Sequence, residues 1–69
     1  MTGDVVRVVR EYYAFNLTKK MKELLTKDDV FLVIADDGYV TAARLKDVCI
    51  FSFSRNAFGL YTQPFCEDV

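Results

Sequence analysis

The sequence contains no histidine and no tryptophan, and only one proline, three glycines and two cysteines in 69 residues. Each scarcity removes a class of function. Without histidine there is no imidazole to serve as acid or base near neutral pH, and Ser52 and Ser54 have no base to activate them as nucleophiles. Cys49 and Cys66 lack any CxxC or Cys/His spacing, and a structural zinc site needs four ligands, so no metal centre is expected. No glycine-rich phosphate loop and no EF-hand spacing occurs. The longest apolar run, Val30 to Ala35, is far too short to span a bilayer, and no membrane partner is expected. No charged segment followed by an apolar stretch opens the chain, which argues against secretion and for the cytoplasm, where both thiols stay free. Cys49 sits among strand formers and is assigned to the core; Cys66, near the C-terminus, is assigned to the surface. A Cys49–Cys66 disulfide is the alternative. No catalytic residue and no cofactor is expected, so the chain reads as a non-enzyme.

What is present is apolar and aromatic. Hydrophobic residues make up 52% of the chain and aromatics 14%, with six Phe and four Tyr. That is ample for a globular core and too apolar for intrinsic disorder. Residues 1–69 are read as one domain, although a chain of this size buries only about 60% of its unfolded surface. Net charge is −1 and the isoelectric point about 5.2, which speaks against a dedicated nucleic-acid binder, since such proteins rely on a basic excess. The charge is uneven. Lys19, Lys20, Lys22 and Lys27 crowd residues 16–27 against Glu23 alone, whereas Asp28, Asp29, Asp36 and Asp37 follow with no cation between them. Solvated loops account for this pattern; a dipolar surface that orients a partner is the sharper reading. Neighbouring carboxylates point apart on an extended backbone, so the two Asp pairs are read as turn and cap residues.

The strongest local signal is a hairpin. Val30 to Ala35 is continuously apolar, as a strand buried on both faces would be, and Tyr39 to Ala43 returns after a turn at Asp37-Gly38 whose two central positions favour positive φ. That turn sets Ala35 against Val40, Val33 against Ala42 and Leu32 against Ala43. Large side chains thus meet small ones, which leaves room for something to pack over Ala42 and Ala43. Leu45 to Asp47 reads as a connection. Val48 to Phe53 reads as a strand with Phe51 and Phe53 buried and Ser52 and Ser54 wet. Arg55 to Gly59 reads as a turn, and Leu60-Tyr61-Thr62 as a short last strand closed by Pro64. Residues 4–15 admit two readings. Val5, Val8, Val9, Tyr12 and Tyr13 fit a helical stripe that Asp4 would cap, but the density of β-branched and aromatic residues favours strand. Residues 18–26 are expected to form a helical turn in either case.

The stretch ELLTKDDVFLVIADDGYVTAARL, Glu23 to Leu45, resembles the Src-homology-three barrel. Glu23-Leu24, Lys27 with Asp28 or Asp29, Phe31 through Ile34, Asp36-Asp37-Gly38, Tyr39 and Ala42 stand in the order of that family's central motifs. Upstream, REYYAFN is similar to its aromatic first strand, and AFGLYTQPF to its closing segment. The resemblance implies a small five-stranded antiparallel barrel with a short helix at 18–26. The alternative is an α+β fold with an N-terminal helix on an antiparallel meander. Two departures bear on function. Tyr39 stands where the family shows Trp, and residues 16–22, acidic in the family, are basic here. The family's usual proline-rich ligand with a basic anchor would be repelled by Lys19, Lys20 and Lys22.

The function expected from these residues is therefore protein binding. A free-standing small regulator or inhibitor, of the kind viral or mobile elements encode, would use surface aromatics and a basic loop to hold an acidic patch on a partner protein. The contact residues expected are Tyr12, Tyr13, Lys19, Lys20, Lys22, Tyr39 and Tyr61, with Arg44 and Arg55 flanking the aromatic patch. Two other readings remain open: a barrel that binds nucleic acid or modulates transcription by stacking bases on its aromatics, and a structural subunit that self-associates through an exposed strand.

Overall fold

A computed structural model of the chain describes residues 2–65. Seven strands and one short helix follow in the order β1 (Val5–Val8), β2 (Tyr12–Asn16), β3 (Met21–Leu25), β4 (Val30–Asp37), β5 (Tyr39–Arg44), β6 (Ile50–Ser54), α1 (Arg55–Tyr61) and β7 (Thr62–Pro64). All neighbours run antiparallel in one sheet of order β3-β2-β6-β5-β4-β1-β7, curled into a half-barrel. The mainly β class expected from the sequence holds, but the count of five strands and the closed barrel do not. The reason lies in residues 12–25. They form a hairpin that pairs with β6 through Phe15 and Asn16 and extends the sheet, so β3 and β7 remain free edges.

Strands occupy the N-terminal segment, so the helix-on-meander alternative fails. β-branched residues lose rotamer freedom in a helix and pack well on a pleated surface, and Val5, Val6 and Val8 follow that preference. The helical turn expected at 18–26 is also absent. Residues 17–20 turn, and Met21–Leu25 pair with β2 over all five residues, Asn16 opposite Met21 to Tyr12 opposite Leu25. Two helical turns of KKMKELL are marginal alone, and a cross-strand ladder outweighs them.

The reverse error occurs near the C-terminus. Arg55–Tyr61, read as a turn running into a strand, is helical, because the Ser54 hydroxyl caps it by accepting the Ala57 N–H at 3.2 Å. The last strand therefore starts at Thr62. The continuous apolar run of β4 is buried on one face only: Phe31 and Val33 are fully buried, while Ile34 is 42% exposed. A half-barrel has a single interior, so no strand needs two apolar faces. Val33 opposes Ala42 and Leu32 opposes Ala43, as read from the sequence, but an irregularity between Val33 and Ala35 sets Ala35 against Thr41 instead of Val40. The turn itself needs positive φ only at Gly38, at 82°.

The core forms from alternate residues of these strands: Val6, Val8, Ala14, Leu25, Phe31, Val33, Val40, Ala42, Cys49, Phe51 and Phe53, with Phe58 of α1 above them. Phe31 stands edge-on to both Phe51 and Phe53, each at 5.3 Å between centroids. Phe53 also meets Phe58 at 5.4 Å. Cys49 is buried with a free thiol; Cys66 lies outside the described residues. Among the described residues no helix is long and apolar enough to cross a membrane.

The two free edges differ from an open template. β7 has three residues and contains Pro64, which cannot donate to a further strand. β3 carries Lys22 outward and Glu23 toward the interior, and an inward charge at a sheet edge opposes pairing with another chain.

Candidate functional site

Strand parity decides which aromatics reach solvent. On β2, Ala14 and Asn16 are buried and Tyr12 is half-buried, whereas Tyr13 is 68% and Phe15 41% exposed. The cross-strand pairs Tyr13–Leu24 and Phe15–Lys22 set two rings, an aliphatic side chain and an ammonium on one outer face of the β2–β3 hairpin. Ser52 of β6 continues that face on the other side of Phe15. Lys19 and Lys20 sit in the connecting turn at its end, with Asn16 Oδ1 accepting the Lys19 N–H at 2.9 Å. Phe15 and Leu24, absent from the residues chosen from sequence, thus belong with Tyr13 and Lys22. The signal available was alternation within YYAFN once it is read as a strand.

The other chosen tyrosines go elsewhere. Tyr12 stacks on Tyr61 at 4.4 Å and 19°, and lies tilted against Phe53 at 6.0 Å. This pair covers the corner where β2 meets the end of α1. The Tyr12 hydroxyl is buried without a hydrogen-bond partner among the described residues, and burial beside Tyr61 raises its pKa above the usual phenol value. Tyr39 is 65% exposed but stands on β5 opposite Ser54, at the acidic turn. The seven residues are therefore spread over three places: an outer face with a basic turn, a packed tyrosine pair, and an isolated ring.

Arg44 corrects the sequence reading most sharply. Expected beside a surface patch, it is 2% exposed. Its Nη1 donates to Glu23 Oε2 at 2.6 Å, its Nε and Nη2 form a fork onto Asp47 at 3.0 and 2.7 Å, and Asp29 lies at 4.0 Å. The guanidinium covers the Phe51 ring at 4.8 Å. It ties the edge strand β3 to β5 and to the β5–β6 connection, and so holds the aromatic hairpin against the rest of the sheet. Asp29 also accepts the Thr26 N–H at 2.9 Å, in the turn role read from sequence. Arg55 is exposed and paired with Asp36 at 2.7 Å.

The hydrogen bonds from Arg44 hold Glu23 below its ordinary carboxylate pKa and Asp47 well below it. A depressed native pKa contributes stability that is present above the unfolded value and lost as pH falls through the folded one. Urea midpoints are therefore expected to be level from neutral pH to about 5 and to fall steadily below about 4.5, where unfolded carboxylates begin to protonate. A midpoint unchanged down to strongly acid solution would show that these two groups do not support the fold.

Two turns meet at the end of the sheet occupied by the lysines. The Leu17 N–H donates to the Ile50 carbonyl at 2.7 Å, and the Ile50 N–H donates to Thr18 Oγ1 at 2.9 Å. The β2–β3 turn is thereby held beside the start of β6 and the connection that leads into it. Lys20 and Val48 have φ of 57° and 60° and are the only non-glycine residues with positive φ among the described residues. For an L-residue this conformation costs roughly 1–2 kcal/mol, and a β-branched side chain suits it least. The Val48 N–H closes the connection by donating to the Arg44 carbonyl at 2.7 Å.

Among the described residues no three side chains of metal-ligating type converge. In comparison with known proteins, no family model, no curated protein and no solved structure matches this chain.

Proposed function

We propose that this chain is a non-enzymatic protein-binding module, a small regulator or inhibitor that captures an acidic partner on the outer face of its β2–β3 hairpin. One observation carries the reading: Tyr13, Phe15, Leu24 and Lys22 share an exposed face, with Lys19 and Lys20 at its end. Exposed rings give contact area at low entropic cost, and tyrosine keeps a polar tip for the rim. The lysines supply steering toward negative charge and register on it. Tyr12 and Tyr61 stack on each other and exposed Tyr39 stands alone at the acidic turn, whereas on this face two exposed rings adjoin an aliphatic side chain and a lysine.

Seven strands exceed the five that the Src-homology-three resemblance implies, and REYYAFN and Glu23-Leu24, which carry part of it, form the β2–β3 hairpin itself; the curled antiparallel sheet is what supports reading the chain as a relative of that barrel. In that reading the family's ligand chemistry is inverted: a basic hairpin faces an acidic partner.

The test is affinity capture from the native host with three baits: wild type, Tyr13→Ala/Phe15→Ser, and Lys19→Glu/Lys20→Glu/Lys22→Glu. A specific partner is expected to bind both variants at least about thirtyfold more weakly, as for loss of about 2 kcal/mol at a contact hot spot. The lysine variant alone should lose the salt dependence of binding. Equal capture by all three baits would remove this face from the function, and capture of nucleic acid in place of protein would transfer it to the base-stacking reading.

A further inference from the structure

We infer that the opposite chemistry at the end of the sheet, aliphatic rather than aromatic, is a contact surface for an anionic lipid bilayer. Leu17, Leu45 and Val48 are 42, 52 and 71% exposed in the two turns that Thr18, Leu17 and Ile50 hold side by side. Lys19, Lys20 and Lys46 stand in the same two turns and are exposed. Asp47 is held by the Arg44 fork, Lys46 is paired with the buried Asp29 at 3.7 Å, and Asp28 is exposed beside Leu45, so Lys19 and Lys20 carry the positive charge of this end. The end is therefore apolar at its tips, with its positive charge on the β2–β3 turn.

Backbone conformation makes the arrangement harder to dismiss as incidental surface. Lys20 and Val48, the two left-handed residues without the freedom of glycine, are one cation and one aliphatic side chain, and both fall in these turns. Glycine or asparagine would be easier for the fold at either place. Strain of this kind gathers where a surface is used.

Composition selects the occupant. Protein contacts draw on Trp, Tyr and Arg, and are poor in Leu and Val. This end exposes no aromatic ring among its turn residues and no arginine. Aliphatic tips beside the Lys19-Lys20 pair match a headgroup boundary, where apolar groups enter the acyl margin and ammonium groups meet lipid phosphates. A long apolar run is needed to span a bilayer; adsorption to one surface needs none. It borders the aromatic face of the β2–β3 hairpin and shares Lys19 and Lys20 with it, so an acidic partner and a bilayer compete for those two lysines.

The experiment is sedimentation of the full chain with phosphatidylcholine vesicles, with and without phosphatidylserine, for wild type, Val48→Asn, Leu45→Ser and Lys19→Glu/Lys20→Glu. Wild type is expected to partition onto phosphatidylserine vesicles and not onto phosphatidylcholine alone, and to come off as salt is raised. Val48→Asn should fold with a higher melting temperature, because asparagine tolerates the left-handed conformation, yet bind about tenfold more weakly, the effect of one lost aliphatic contact. The double lysine reversal should weaken binding about thirtyfold or more, with each lysine near an anionic surface contributing about a factor of five. Lack of wild-type binding at low salt overturns the proposal. So does undiminished binding by both Val48→Asn and Leu45→Ser, which would leave simple charge attraction. Displacement of wild type and Val48→Asn alike by soluble poly-glutamate would instead assign the lysines to an acidic protein.

Discussion

Replacing Arg44 with leucine is expected to lower the free energy of unfolding by about 3–5 kcal/mol, the range for breaking a buried ion pair from one side. The guanidinium is 2% exposed and engages Glu23 and Asp47 directly, with Asp29 at the edge of ion-pair distance. Its loss leaves the buried Asp29 carboxylate with the Thr26 N–H and with Lys46, at 3.7 Å, and strips the cover from Phe51. It also releases the edge strand β3, whose Glu23 reaches the body of the sheet through this contact. A chain below about 70–80 residues seldom has more than about 3–5 kcal/mol from a single core, so the variant should be largely unfolded at room temperature. Lysine should not rescue it, since a point charge cannot form the two-pronged contact with Asp47 and bond Glu23 as well. Urea titration followed by circular dichroism measures the effect. A loss below about 1 kcal/mol would mean that water replaces the guanidinium at little cost, as at exposed ion pairs. The outer aromatic face depends on the same contact, so a folded Arg44 variant should show altered exchange protection in β2 and β3 first.

How much of this was legible depends on whether a residue's role is set by its neighbours in sequence or by those across the sheet. Phe51 and Phe53 declared themselves, because alternation with Ser52 and Ser54 is a local pattern and the strand keeps it. The pairing of Val33 with Ala42 was legible for the same reason, given a turn at Gly38; the irregularity that shifts Ala35 was not, since no residue type marks it. β3 was hidden because Lys22, Glu23, Leu24 and Leu25 favour helix individually, and only the partner strand β2 overrides them. The helix α1 was hidden for the opposite reason: Ser54 reads equally well as the wet face of a strand and as a cap, and it is both. Arg44 follows two alanines in a strand and looks like any exposed cation. Its burial is set by Glu23 and Asp29, which lie far along the chain, and by Asp47, three residues on, whose turn brings it back onto the guanidinium. The candidate face was half legible for a related reason. Two adjacent tyrosines cannot both point outward on a strand, and nothing before the register was known said that Tyr13, not Tyr12, would be the exposed one.

Phe31→Ala is expected to have the largest effect of any single truncation in the core, about 3–5 kcal/mol. Phe31 is fully buried near the start of β4, opposite Arg44 on β5 and Val6 on β1. Its ring meets Phe51 and Phe53 edge-on, so removal forfeits two aromatic contacts as well as buried area, and leaves a void between strands that cannot all close upon it. The neighbours limit relaxation. Phe51 is held under the Arg44 guanidinium, and Phe53 is held by Tyr12 on one side and Phe58 on the other. A cavity whose lining is fixed costs more than one that collapses, which places this site toward the upper part of the range. Phe31→Leu should cost less, because most of the volume stays and only the edge-on geometry is lost. The comparison is made by urea midpoints and by near-ultraviolet circular dichroism, which reports ring packing. If alanine and leucine lowered stability equally, the packing of the three rings would not be what fixes the interior. The curl of the sheet would then have to come from the ladder of strands and the Arg44 contact alone.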